Sequence, residues 1–132
     1  MKKIKQKVLL VEDDSAIIDV YKIAFESIGI DLEVLMLGKE AMNKVDDIQA
    51  GKETKPNLVL LDLLLPDING IEILKKIKEN DTSKDITVFI LSNYASSEVP
   101  KIDGISPDKF ILKADIAPTD LAKLIKQQLK IK

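Results

Sequence analysis

The chain has 132 residues, 45% of them apolar and 32% charged, the balance of one globular domain with its own core rather than of a disordered segment. Its 20 basic residues are all lysine against 22 acids, and the net charge of −2 gives no reason to expect nucleic-acid binding. Cysteine and histidine are absent, which excludes disulfides, thiolate nucleophiles, zinc–thiolate sites, Ser–His triads and imidazole ligands, and suits a reducing cytoplasm.

Lys2, Lys3, Lys5 and Lys7 precede only a short apolar run, Val8-Leu9-Leu10-Val11. A spanning helix needs about 20 apolar residues, so no membrane or export segment is expected here. The run is too short for a helix and does not alternate, the pattern of a strand covered on both faces of a parallel sheet. It ends in Glu12-Asp13-Asp14, with Asp14 placed to cap a helix starting near Ser15. Ile17, Tyr21, Ala24 and Ile28 then fall on one helical face. Ile30, Leu32, Val34 and Met36 fall on one side, with Asp31 and Glu33 among those on the other, and predict a half-exposed edge strand. A helix is expected around Glu40 to Ile48, followed by a polar loop from Gly51 to Pro56.

The second continuous run, Leu58-Val59-Leu60-Leu61, is followed at once by Asp62. Asn69-Gly70 opens a helix that carries Ile71, Leu74 and Ile77 on one face. Val88-Phe89-Ile90-Leu91 leads to Ser92, and Phe110-Ile111-Leu112 leads to Lys113. Between them the helical pattern is poor: a helix capped by Ser97 meets Gly104 and Pro107 and should be short or irregular. Pro118 suits the first turn of a last helix with Leu121, Leu124, Ile125 and Leu129 inward. Strands alternating with helices predict an α/β, doubly wound parallel sheet with helices on both faces.

In such a sheet ligands bind at the carboxyl ends of the strands, at a topological switch point. Two or three carboxylates, the Ser92 hydroxyl and the Lys113 ammonium would meet in one crevice. Carboxylates crowded together call for a hard cation, and Mg²⁺ uses one or two protein carboxylates together with a phosphate oxygen. A carboxylate beside the metal can attack phosphorus, while an ammonium and a hydroxyl meet the charge on the transferring oxygens.

Four stretches carry a resemblance: Val8 to Asp14, Leu60 to Gly70 with its Asp–x₃–Pro–x₃–Gly spacing, Ile90-Leu91-Ser92-Asn93, and Phe110 to Lys113. With these the chain resembles the receiver domains of two-component response regulators, the chemotaxis regulator among them. The resemblance implies a flavodoxin-like five-stranded sheet of order 2-1-3-4-5 and one stand-alone receiver domain over residues 1–132. It implies that Asp62 accepts the phosphoryl group. Asp13 would be a direct Mg²⁺ ligand, with Glu12 acting through water and the Leu64 backbone carbonyl as a further ligand. Ser92 would be the switch hydroxyl, Lys113 the ion-pairing lysine and Phe110 the switch aromatic. Asp67 reads as a turn residue, and Leu64, Asn93 and Tyr94 as rim positions. Two departures stand out: Ala114 follows Lys113 where most members have a cis proline, and Asn93 replaces a small alanine.

The implied donor is a histidine kinase or a histidine phosphotransfer protein, and the output is contact with a downstream protein. The chain would be a signalling phosphoacceptor that catalyses its own transfer and dephosphorylation, not an enzyme in the ordinary sense. The alternatives are a phosphorylation-independent binding module of the same fold and a flavin carrier. For the flavin carrier, the acids at 12–14 would repel the phosphate that the first loop would have to bind.

Overall fold

The computed structural model describes residues 5–93 and 104–131. Along the chain these form β1 (Gln6–Val11), α1 (Ser15–Glu26), β2 (Ile30–Leu35), α2 (Gly38–Gln49) and β3 (Leu58–Asp62). They continue as α3 (Gly70–Lys78), β4 (Thr87–Ser92), β5 (Lys109–Leu112), a 3-10 turn (Lys113–Asp115) and α4 (Pro118–Leu129). The expected short helix from Ser97 and the rim position Tyr94 lie outside the described residues.

The five strands make one all-parallel sheet in the order β2-β1-β3-β4-β5, as expected. Residues Leu58 to Asp62 of the central strand are all buried, which is why that run carries no alternation. Side chains of opposite parity along β1 serve two separate cores. Val8 and Leu10 join α1 and α4, with Tyr21, Phe25, Phe89 and Leu121. Leu9 and Val11 join α2 and α3, with Val45, Leu61, Ile73 and Ile90. Each fully buried side chain of this size contributes about 1.5–3 kcal/mol. The rings of Tyr21 and Phe25 stack with centroids 5.3 Å apart.

The helix starts are locally encoded. Asp14 Oδ1 accepts from the Ala16 and Ile17 amides at 3.0 and 3.3 Å, and Asn69 Oδ1 from the Ile71 amide at 2.9 Å. Pro118 occupies the first turn of α4. In the edge strand, Ile30 is buried and Leu32 and Val34 pack on the first core. Met36, read as continuing that face, lies beyond the strand and is exposed. The Glu12 amide donates to the Leu35 carbonyl at 3.0 Å, the last bond between β1 and the end of β2.

Register decides what sits beside what at the carboxyl edge. Val11, Leu61, Ile90 and Phe110 lie in one row across β1, β3, β4 and β5. One step further along each strand stand Glu12, Asp62, Leu91 and Ile111, with Ser92 and Lys113 just beyond.

Candidate functional site

Glu12 and Asp62 occupy neighbouring strand ends in the middle of the sheet, and both are buried, Glu12 to 1% exposure. The Lys113 ammonium enters from the end of β5, itself largely buried. It lies 2.6 Å from Glu12 Oε1 and 3.2 Å from Asp62 Oδ2. The other Glu12 oxygen accepts from the Asp13 amide at 3.0 Å, and Asp62 Oδ1 accepts from the Leu64 amide at 3.2 Å. Both carboxylates are thus held at both ends. Exposed Asp13 completes a group whose oxygens, one each from Glu12, Asp13 and Asp62, all lie within 4.8 Å of one another.

The β3–α3 turn that presents Asp62 is locked by close backbone contact. A Cβ on Gly70 would stand 2.3 Å from the Asp62 carbonyl oxygen and 2.9 Å from Leu63 Cα. The Gly70 amide instead donates to the Leu63 carbonyl at 2.9 Å, and Leu64 forms an antiparallel bridge with Asn69. Leu64, whose carbonyl the resemblance makes a metal ligand, is 53% exposed, with its amide on Asp62 Oδ1.

Ser92 is buried at the end of β4, and Asn93 after it is exposed. Phe110 is half-buried and packs with Ile105 against the α2–α3 core. No cis peptide bond occurs among the described residues; with Ala114 in a 3-10 turn, Lys113 still reaches both carboxylates.

The electrostatics are unbalanced. Three carboxylates face one ammonium. Burial pushes the Glu12 carboxyl above its ordinary value, neighbouring Asp62 pushes the same way, and Lys113 only partly offsets them. Burial pulls the Lys113 ammonium down, but the hydrogen bond to Glu12 and the charge of Asp62 outweigh it and hold it charged. Tyr21, buried on α1 within the field of these groups, is raised, chiefly by burial. A second, hard cation would relieve this excess. The donors are all oxygen and include an exposed carboxylate through which an ion can enter, so the residues fit Mg²⁺.

Two features were not read from the sequence. The Asp67 carboxylate does not merely turn the chain. It accepts from the Gly38 and Lys39 amides at 2.8 and 2.9 Å, capping α2 from 28 and 29 residues away. The signal was indirect: Leu37, at the cap position of α2, has no side-chain acceptor. Tyr21 was read as core alone, and its place beside the charged cluster depends on how α1 lies on the sheet.

A family model described as the response regulator receiver domain matches residues 8–126. Among curated proteins, the transcriptional regulatory protein TrcR of Mycobacterium tuberculosis is 39% identical over 100 residues, covering 76% of this chain and 35% of that protein. The chain spans less than two thirds of the length of the curated relatives it matches first. Among solved structures, the phosphorylated cyanobacterial phytochrome response regulator RcpA is 27% identical with a TM-score of 0.76, covering 95% of this chain and 91% of that one. The Mn²⁺-bound form of response regulator Rcp1 is also 27% identical with a TM-score of 0.76, covering 96% and 95%. No helix among the described residues is long and apolar enough to cross a membrane.

Proposed function

The chain belongs to the response-regulator receiver family, and from that premise we propose that it accepts a phosphoryl group on Asp62 in a Mg²⁺-dependent reaction and signals through a protein partner. One observation carries the reading: Glu12, Asp13 and Asp62 gather their oxygens within 4.8 Å, with the Lys113 ammonium 3.2 Å from Asp62.

Response regulators are phosphorylated by histidine kinases, and here a kinase or a histidine phosphotransfer protein is the donor. An Asp62 oxygen attacks phosphorus in line. The O–P bond forms as the N–P bond of the phosphohistidine breaks, and the electron pair leaves with the imidazole nitrogen. Glu12, Asp13 and the Leu64 carbonyl are the residues that would hold Mg²⁺. When bound, the ion supplies positive charge beside the phosphoryl oxygens. Lys113 meets the charge on another of these oxygens, and the Ser92 hydroxyl donates to a third. The Leu64 amide and Lys113 fix the plane of the Asp62 carboxylate beforehand, so rate comes from positioning rather than from acid–base chemistry. Water attacking the acyl phosphate in line returns the carboxylate and inorganic phosphate.

The switch is a two-state equilibrium. Ser92 moves toward the new oxygens and half-buried Phe110 turns inward behind it, changing the surface of β4 and β5. Residues 1–132 act as one receiver unit in the cytoplasm, with output by protein contact and none to nucleic acid from this unit. TrcR is a transcriptional regulatory protein of which this chain covers 35%.

The test is intact mass after incubation with Mg²⁺ and acetyl phosphate or phosphoramidate. One phosphoryl group is expected on the wild type and none on Asp62→Asn. A wild type left unlabelled by every small donor and by a phosphorylated histidine phosphotransfer protein would refute the mechanism.

A further inference from the structure

We propose that Asp67 is a positioning residue for the metal-binding loop: by capping α2 from the tip of the β3–α3 turn, it holds the Leu64 carbonyl in place beside the three acids. The inference rests on the reading above, in which this site takes Mg²⁺.

Three observations carry it. First, α2 cannot cap itself, because Leu37 at its cap position has no side-chain acceptor, and only the Leu37 amide is served, by Glu40 at 3.2 Å. Asp67 takes the next two amides, one with each carboxylate oxygen, at 2.8 and 2.9 Å. Second, the two segments touch without slack. A Cβ on Gly38 would lie 2.9 Å from Ile68 Cβ and 3.1 Å from Asp67 Oδ1, so only glycine lets the turn come this close. Third, the turn is a clasp whose limbs are joined at the base by the Leu64–Asn69 bridge and by the Gly70 amide on the Leu63 carbonyl. Leu64 is on one limb and Asp67 is at the tip. A clasp tied at base and tip has little freedom to tilt, so the cap fixes where the Leu64 carbonyl points.

The amides hold the Asp67 carboxyl below its ordinary value, that of Lys39 foremost, as expected for a carboxylate serving two N–H donors. The Asp67 carboxylate is engaged by the Gly38 and Lys39 amides of α2, so its part in the chemistry runs through Leu64.

A helix cap with no bearing on the metal is the competing explanation, and a double variant separates the two. In Leu37→Asp/Asp67→Ala, an aspartate at the exposed cap position restores capping from within α2 while the tie to the turn stays cut. Mg²⁺ dissociation constants, melting temperature, and amide hydrogen exchange of Leu64 and Gly70 in the metal-free protein are measured on wild type, Asp67→Ala and the double variant. Asp67→Ala should melt lower, bind Mg²⁺ about tenfold more weakly, and exchange its Leu64 and Gly70 amides faster than its sheet amides. The double variant should regain the melting temperature but neither the affinity nor the protection. Recovery of Mg²⁺ affinity in the double variant would overturn the proposal, as would wild-type affinity and protection in Asp67→Ala. A wild type with no saturable Mg²⁺ site would fail the metal reading itself, a result distinct from a variant that binds as well as the wild type.

Discussion

Replacing Lys113 by methionine keeps the length and apolar stem of the side chain and removes its charge. Glu12 is 1% exposed, and the side chains of Lys113 and Asp62 are each 9% exposed, so two carboxylates would lose their shared partner in a poorly solvated place. Removing one member of a buried ion pair costs about 3–5 kcal/mol. The lower end applies, because Glu12 can take up a proton. Burial and Asp62 already hold its carboxyl above the ordinary value, and loss of Lys113 raises it further. About 3 kcal/mol in a chain of this length lowers the melting temperature by roughly 10 °C.

The sign with pH follows from the same group. A carboxyl whose folded pKa exceeds its unfolded value binds more protons when folded, so stability falls as pH rises through that interval. The deficit of Lys113→Met should therefore be larger at pH 8 than at pH 5. Urea or thermal melts in EDTA give the metal-free difference. Repeating them at one fixed Mg²⁺ concentration, about 100 times the wild-type dissociation constant, adds roughly 2.7 kcal/mol to the wild type. The variant, without the competing ammonium beside Glu12 and Asp62, should bind the ion more tightly and gain more, which narrows the gap. Equal melting temperatures in EDTA at pH 8 would show that the ammonium does not neutralise Glu12 and Asp62, and the electrostatic account of the site would be wrong.

Gly70→Ala places a methyl group 2.3 Å from the Asp62 carbonyl oxygen. Backbone shifts of that kind cost about 1–3 kcal/mol, and urea melts should show the loss together with weaker Mg²⁺ binding. Asp14→Ala removes the acceptor of the Ala16 and Ile17 amides and should cost about 1 kcal/mol. Phosphorylation by small donors should remain, because Asp14 serves the helix rather than the metal. For Asp67, a depressed carboxyl adds stability above the unfolded value that is lost only as pH falls through the folded one. The stability difference between wild type and Asp67→Asn should hold from neutral pH down to about 4 and shrink only below it, as followed by melts across an acid series.

The strands and helices were legible because burial and capping leave marks within a few residues. Continuous apolar runs betray the covered strands, while Asp14, Asn69 and Pro118 announce helix starts through bonds that close within one turn. Met36 was misread because alternation does not say where pairing ends. The β1–β2 pairing ends at Leu35, one residue short of Met36. The candidate site was legible to the extent that each polar residue ends a buried run and must emerge at the same edge of a parallel sheet.

From the chain alone, then, came the layers of the fold and the five residues that could meet: Glu12, Asp13, Asp62, Ser92 and Lys113. Tertiary structure decided how Glu12, Asp13, Asp62 and Lys113 meet. Lys113 lies nearer Glu12 than Asp62, across 101 residues, because sheet register and the 3-10 turn after β5 set that distance. Asp67 caps a helix 28 residues upstream for the same reason: the bond exists only once the turn and α2 are packed together. Contacts local in sequence repeat from protein to protein and can be read as patterns. Those that join distant segments depend on angstrom-scale placement, which arises only when the cores on both sides of the sheet have closed.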